Sequence, residues 1–320
     1  MDLPRIGLDL TEKQSAPGAL AALERAEAHG VPMVWSTTGR GAPDATTLFA
    51  AAAVKTQRVG LGTAIVPTYP RHPTVLATQA MVIEQLAPGR LRLGVGPSHS
   101  PSIEGSLGID MGRPLDHLRE YVTVLRNLLW EGRADFAGQY YTVHSTIGQP
   151  APVPIYVSAL RQRAFQLAGE IADGAISWLC PVAYLRDKAA PAMRRGEALT
   201  GRPPARLVAH VPVVMSADRQ TMLEAARQIV GGYARLPFYA GMFTDAGFPT
   251  QPGDPASDAL LDHLVVWGTD EQVRDRLAGT LGGGIDELLV MLIKTGDPAR
   301  EESRLSEIIV SIAGDGSAGR

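Results

Sequence analysis

The side chains able to do chemistry in this chain fall into a few short clusters. Ser158-Ala159-Leu160-Arg161-Gln162-Arg163 follows an apolar run and opens a helical pattern over 161–171. Amides at a helix N-terminus attract anions, and two arginines in a first turn oppose the helix dipole unless an anion sits there. The cluster therefore reads as a phosphate site, with a solvated helix start as the plainer alternative. In Leu93-Gly94-Val95-Gly96-Pro97-Ser98-His99, two glycines stand where a strand gives way to a loop. Either they admit a planar ligand close to the backbone, or they only let the strand pack and turn. The segment is not a dinucleotide fingerprint, because Ser98-His99-Ser100-Pro101 does not open directly into a helix with a third glycine. A stiff loop over 63–73 carries Pro67, Pro70 and Pro73. Its rigidity could hold a ring, and Tyr69 or His72 could act as an acid, although a solvated or helix-capping histidine is the commoner case.

What is missing narrows the chemistry further. The sequence shows no carboxylate pair, no Cys/His cluster and no Gly-x-Ser-x-Gly, so glycoside hydrolysis, metal-assisted hydrolysis and serine-type acyl transfer lose ground. Cys180, the only cysteine, has no basic neighbour in sequence and reads as a small buried apolar residue. The remaining hydroxyls, aromatics, small residues and amides suit a pocket in which a bound cofactor carries the reaction. No metal is expected.

These clusters need a scaffold that gathers strand ends. Short β-branched runs at 5–9, 33–35, 59–64, 91–95, 155–158, 174–177, 207–215 and 287–292 alternate with helical patterns. Such alternation predicts an α/β fold of parallel βα units, and eight units predict a single (β/α)8 TIM barrel domain over 1–320. Ligands of such barrels sit at the C-terminal strand ends, which here present Thr37, Thr38, Ala64, Tyr69, Gly96, Ser158, Ser177 and Trp178. Asp44 is a predicted N-cap for a helix over 45–55, and Pro17 opens another that stops at Gly30. A helix over 114–130 carries the stripe Leu118, Tyr121, Val122, Leu125, Leu128 and Leu129, with His117, Arg119, Glu120 and Arg126 placed elsewhere. Two segments exceed a minimal barrel. One is a hairpin over 132–143 about Gly138; the other is a lid-like stretch over 231–262, where Arg235, Phe238, Tyr239 and Phe243 either line a pocket or pack as an insertion. The last eight residues, 313–320, read as frayed.

Composition sets the outer bounds. The 320 residues are 45% hydrophobic, enough to fill a core without disulfides or metal. With 30 Lys plus Arg against 33 Asp plus Glu and no run of like charges, a small-molecule partner is expected rather than nucleic acid. Lysine occurs only at Lys13, Lys55, Lys188 and Lys294, which thins the candidates for Schiff-base chemistry. A lone cysteine points to a reducing compartment. The opening Met1 to Leu10 has no leader pattern, and no apolar run approaches the ~20 residues that span a bilayer, so a cytoplasmic protein off the membrane is expected.

Several spaced motifs together resemble a known family. They are Arg58-Val59-Gly60-Leu61-Gly62-Thr63-Ala64-Ile65-Val66-Pro67, His72-Pro73 and Gln79, and Leu86-Ala87-Pro88-Gly89-Arg90-Leu91-Arg92-Leu93-Gly94-Val95-Gly96. The order continues through Leu118-Arg119-Glu120-Tyr121, Trp130-Glu131-Gly132 with Tyr140-Tyr141, Pro154-Ile155-Tyr156-Val157-Ser158-Ala159 and Ala168-Gly169-Glu170-Ile171-Ala172-Asp173-Gly174. Across nearly the whole chain this resembles the bacterial luciferase-like monooxygenase superfamily. The resemblance implies a (β/α)8 barrel, often dimeric, that binds FMN or the deazaflavin coenzyme F420 at its mouth. Val34 to Thr38, the Pro-Thr-Tyr-Pro-Arg-His-Pro loop and Ser177 to Pro181 look most like the actinobacterial F420-dependent branch.

Carried over position by position, Ala64 and Ile65 match a strand-end bulge, often with a cis peptide, that backs the ring. Gly96, Pro97, Ser98 and His99 match the loop beside the ring and ribityl chain. Leu160, Arg161, Gln162 and Arg163 match the phosphate turn, with Ser158 and Ala159 leading into it. Apart from that carry-over, Trp35, Tyr69, Ser177 and Trp178 are candidates for the substrate pocket, although Trp35 and Trp178 are more often core or rim aromatics than ligand platforms. The chain also departs from the family. An Asp-His pair common after the second strand of the deazaflavin dehydrogenases is replaced by Thr38-Gly39, and the phosphate turn has Leu160-Arg161 in place of Gly-Gly. His99 is then the leading proton donor, with Thr38, Tyr69 and Ser177 as orienting groups. The expected activity is hydride transfer between F420 and a small carbonyl, alcohol or activated double bond. The alternatives are an FMN-dependent monooxygenase fed by a flavin reductase and a non-catalytic flavin- or deazaflavin-binding protein.

Overall fold

The computed structural model describes residues 5–10, 15–39 and 41–315. The leader reading at Met1 to Pro4 and the end of the chain beyond Asp315 lie outside the described residues. Eight parallel strands form the barrel: β1 (Ile6–Asp9), β2 (Met33–Ser36), β3 (Gly60–Thr63), β4 (Leu91–Gly96), β5 (Ile155–Ser158), β6 (Gly174–Ser177), β7 (Arg206–Val214) and β8 (Glu287–Leu292). Each pairs with the next in sequence, and β8 returns to β1 through Ile6↔Leu288 and Gly7↔Leu289, which closes the barrel. Closure leaves no edge strand in the ring and covers both faces of every strand, which is why all eight are nearly all apolar.

Alternation along the strands builds the inside of the barrel. Met33, Trp35, Ala64, Tyr156, Ile176, Val208 and Leu289 form one buried cluster there. Trp35 is wholly buried, and it fits because a Cβ at Gly62 would come within 2.3 Å of its ring. The second apolar region lies between the strands and the surrounding helices.

Local sequence signals position those helices. Ser15 caps α1 (Ala16–His29), which ends at Gly30 with φ 86°, a left-handed conformation that glycine adopts without steric cost. Asp44 caps α2 (Ala45–Lys55), its carboxylate accepting from the Thr47 amide at 2.9 Å. His72 caps α3 (Pro73–Leu86), so its role is the local one. Contrary to expectation, the glycine loop after β4 does open directly into a short helix, α4 (Ser100–Leu107). Pro101 in its first turn and Gly108 just past its end, at φ 67°, supply the start and stop signals.

The apolar stripe of α5 (Pro114–Glu131) is buried as predicted, but it is wider than predicted, because His117 is buried too. The Tyr69 ring stacks on His117 with centroids 4.0 Å apart, and the Tyr141 hydroxyl lies 2.8 Å from His117 Nε2. The hairpin runs past its predicted end, with strands Arg133–Ala137 and Thr142–Thr146. The lid-like stretch is a packed insertion made of a 3-10 turn (Gly231–Arg235) and helices at Pro237–Asp245 and Asp258–Leu264. Tyr239 and Phe243 are buried in it, whereas Arg235 and Phe238 face solvent. A two-residue strand after it, Val266–Trp267, pairs with the end of β7. Residues 313–315 belong to the last helix, Pro298–Asp315, so that part of the predicted frayed tail is ordered into the fold. Among the described residues, no helix is long and apolar enough to cross a membrane, and no group of three or more His, Cys, Asp or Glu could hold a metal ion.

Candidate active site

The site grows from the inner-face register one layer above the buried floor. Two residues beyond Tyr156, Ile176 and Val208 come Ser158, Trp178 and His210, and Asp9 ends β1 two residues beyond Gly7, whose Cβ would meet Trp35. Gly96 completes this layer on β4. A Cβ there would lie 2.1 Å from Ser158 Oγ and 3.4 Å from Ile65 Cγ1, so only glycine keeps the wall flat between these two side chains.

The β3 end turns inward at Ala64–Ile65, whose peptide bond is cis. The Thr37 hydroxyl donates to the Ile65 carbonyl at 3.3 Å and accepts from the Ile65 amide at 3.1 Å. The Thr38 amide donates to the same carbonyl at 3.1 Å, and the Ala64 amide donates to Ser36 O at 2.8 Å. The bulge is therefore gripped by the end of β2, and Ile65 is left half-buried at the mouth. Thr38 was the threonine expected to act, but its hydroxyl accepts from the Ala45 amide at 3.0 Å and ties down the start of α2. Thr37 is the one turned to the bulge.

The other predicted positions divide sharply. Ser98 takes a left-handed φ of 63°, rare for a residue with a Cβ, and this turn sets His99 at the start of α4. His99 is exposed, with the Tyr239 and Tyr233 rings 5.8 and 6.5 Å away between centroids, and partial desolvation of the imidazole pushes its pKa down. At the phosphate turn, the N-cap residue Arg161 of α6 (Gln162–Ile171) makes no side-chain capping hydrogen bond, and the first amide of the helix, Gln162, lies against the Tyr184 hydroxyl. The helix begins one residue later than predicted. Arg161 and Arg163 are both exposed, as a solvated helix start would be, but Arg161 also forms an ion pair with Asp245 of the insertion at 2.7 Å.

Three expected pocket residues are engaged elsewhere. Trp35 lies beneath the mouth as part of the buried floor. Ser177 is wholly buried on the face opposite Ile176, and its hydroxyl donates to the Val208 carbonyl at 3.3 Å. Tyr69 gives its hydroxyl to Met111 O, and burial holds its pKa up at about 12. Cys180 is buried, with its thiol pKa pushed up by desolvation, the opposite of what a nucleophile needs. Trp178 does line the mouth, half-buried.

Sequence reading missed Asp9, Tyr233 and His210. Tyr233 comes from the insertion, and burial raises its pKa, with Asp9 adding to the rise and Trp178 opposing it. His210 is 2% exposed, and its ring lies flat on Trp178 with centroids 3.6 Å apart. Burial lowers its pKa to about 3, so it is neutral near pH 7. A period of two along β7 and β1 was the available signal, since Val208 and His210 share one face, as do Gly7 and Asp9.

This geometry fits a flat ring with an anionic tail. The Ile65 bulge offers an apolar backing, Gly96 lets Ser158 and Ile65 come close at the strand end, and a helix N-terminus with two exposed arginines stands nearby in the chain.

Comparison with known proteins identifies the family. The luciferase-like monooxygenase family model matches residues 1–287. An F420-dependent glucose-6-phosphate dehydrogenase of Nakamurella multipartita is 38% identical over 217 residues, covering 62% of this chain and 63% of the relative, less than two thirds of its length. An F420-dependent secondary alcohol dehydrogenase, solved in complex with an F420-acetone adduct, superposes with a TM-score of 0.81 at 20% identity, covering 97% of this chain and 99% of that one. The oxygenating constituent of 3,6-diketocamphane monooxygenase of Pseudomonas putida, in complex with FMN, gives 0.75 at 19% identity, covering 98% and 99%. At such identities the two structures speak to the fold alone. The family match, spanning most of the chain, carries the identification: this chain belongs to the luciferase-like monooxygenase family.

Proposed function

We propose that the chain is an oxidoreductase that uses coenzyme F420 to pass a hydride to or from a small organic carbonyl, alcohol or activated double bond. The observation that carries this reading is the cradle at the mouth, in which the Ile65 bulge faces the narrow wall made by Gly96 and Ser158. Similarity to a dehydrogenase named for F420 favours the deazaflavin over FMN. Bound there, the coenzyme would supply the redox step. Ile65, fixed by Thr37, backs the ring, and Gly96 lets the Ser158 hydroxyl come close to that backing. The start of α6 and Arg163 hold the anionic tail, with Arg161 exchanging Asp245 for it. Trp178 and Tyr233 keep water from the inner side. His99, reachable from solvent, exchanges a proton at its ring.

The test is a parallel titration of the protein with F420 and FMN, each oxidised and reduced, followed by fluorescence and absorbance. Saturable F420 binding with weak FMN binding supports the proposal. Preference for FMN would turn the reading to a monooxygenase fed by a flavin reductase, and binding of neither would end both. F420 binding without turnover on a broad carbonyl and enone panel would leave a coenzyme-binding protein.

A further inference from the structure

Among the described residues, the His210 ring stands out by what it lacks. Both Nδ1 and Nε2 are buried, and neither makes a hydrogen bond. Packing alone does not call for an imidazole here, because a phenyl ring would fill the space and stack on Trp178 without leaving polar atoms unpaired. Leaving a buried donor and acceptor unsatisfied is destabilising, and buried polar groups are normally paired. The ring is also aimed. Val208, two residues earlier on β7, belongs to the interior cluster, and so does Leu289, the β8 residue opposite His210. His210 thus faces into the barrel one layer above the floor, level with Trp178, whose flat contact fixes the imidazole plane.

We infer that His210 contacts the substrate, supplying a hydrogen bond to a neutral oxygen, carbonyl or hydroxyl, held at the barrel mouth. The inference rests on the proposed oxidoreductase reading and adds to it the group that recognises the substrate's reacting end. Because burial keeps the ring uncharged, it offers one N–H donor and one lone pair. A ketone oxygen takes the N–H, and an alcohol hydroxyl gives its proton to the lone pair. A carboxylate or phosphate finds no cation at this position. The ring is therefore a selector for neutral substrates as well as a positioning contact.

The experiment compares the protein with His210→Phe and His210→Gln. F420 titrations and thermal melts come first. His210→Phe should match or exceed the parent in melting temperature, because it removes unpaired buried atoms, and it should bind F420 equally well. Cyclohexanone and cyclohexanecarboxylate are then added to each F420-loaded protein. Binding is followed through the ring signals of isotope-labelled histidine, with the His210 signal assigned by its loss in His210→Phe from the spectrum of the chain's 7 histidines. The ketone should shift the His210 signal, and His210→Phe should weaken ketone binding by about tenfold, with His210→Gln recovering part of the loss. A silent His210 signal, an equal ketone affinity in His210→Phe, a stronger response to the carboxylate, or a large drop in melting temperature in His210→Phe would each overturn the inference. Failure of the parent to bind F420 strikes at the coenzyme reading instead. The same ketone titration, run on protein without coenzyme, then decides on His210 separately.

Discussion

A methyl group at position 96 would meet Ser158 Oγ at 2.1 Å and Ser158 Cβ at 2.9 Å; the hydroxyl can rotate away, but the Cβ cannot retreat, since Ser158 ends a strand paired on both sides. Gly96→Ala should therefore destabilise the protein by about 1–3 kcal/mol, the range for overpacking a tight site. It should also weaken F420 binding. Adding Ser158→Gly removes both opposing atoms and should return most of the stability, as urea unfolding of the three proteins would show. The two threonines after β2 make a sharper comparison. Thr37→Val strips the Ile65 amide of its side-chain acceptor and should cost about 1–3 kcal/mol together with coenzyme affinity. Thr38→Val removes only the tie to the Ala45 amide. It should lower stability by about 1 kcal/mol and leave F420 binding intact. Fluorescence titration of the pair separates a bulge holder from a helix tie, and equal losses of affinity would contradict the assignment.

At the scale of elements, what was legible in the sequence depended on whether the deciding partner lay nearby. All eight barrel strands could be read, because each is a short apolar run bounded by turn residues, and the caps at Asp44 and Gly30 are local events. His210 escaped notice as one polar residue inside the nine-residue apolar run of β7. The partner of Arg161, Asp245, is 84 residues away, so the balance of charge at the phosphate turn could not be foreseen. His117 illustrates the same rule on α5. Its own helix places it beside the apolar stripe, but Tyr69 and the hairpin residue Tyr141 bury it. That burial lowers its pKa to about 4. The unfolded chain takes up a proton on this histidine below about pH 6.5, whereas the folded protein resists until about pH 4. Stability is thus fully present above pH 6.5 and falls as pH drops through that window, by at most about 1.4 kcal/mol per pH unit. His117→Phe keeps a ring against Tyr69 and loses the Tyr141 hydrogen bond, an offset largely independent of pH. Its stability between pH 7 and 5, measured by urea unfolding, should decline less steeply than the parent's. A parallel decline would show that His117 is not protonated on unfolding.

The whole barrel separates its polar groups by end, and the ends should answer to different assays. Toward the mouth lie Ser158 and Trp178, half-buried, with Asp9 and His210 buried beside them. At the opposite end Glu287, the first residue of β8, is wholly buried and forms an ion pair with Arg92 of β4 across the barrel. Arg206, the first residue of β7, approaches the same carboxylate at 3.4 Å. The interaction ties together staves that are distant in the chain, 195 residues apart for Arg92 and Glu287. Such a buried pair need not exceed an apolar replacement in stability, since desolvating both charges opposes their attraction, but breaking it from one side strands a buried charge. Arg92→Met should accordingly cost about 3–5 kcal/mol. Arg92→Met combined with Glu287→Leu should cost distinctly less, because Arg206 is partly exposed and can turn its charge to water. Conserving the mouth geometry, both proteins should bind F420 with parental affinity at temperatures where they remain folded. Calorimetric melts and coenzyme titrations on the same samples test this. Loss of coenzyme affinity in the well-folded double variant would mean that the two ends are coupled through the floor formed by Trp35 and Tyr156, and that the barrel's base helps to shape its mouth.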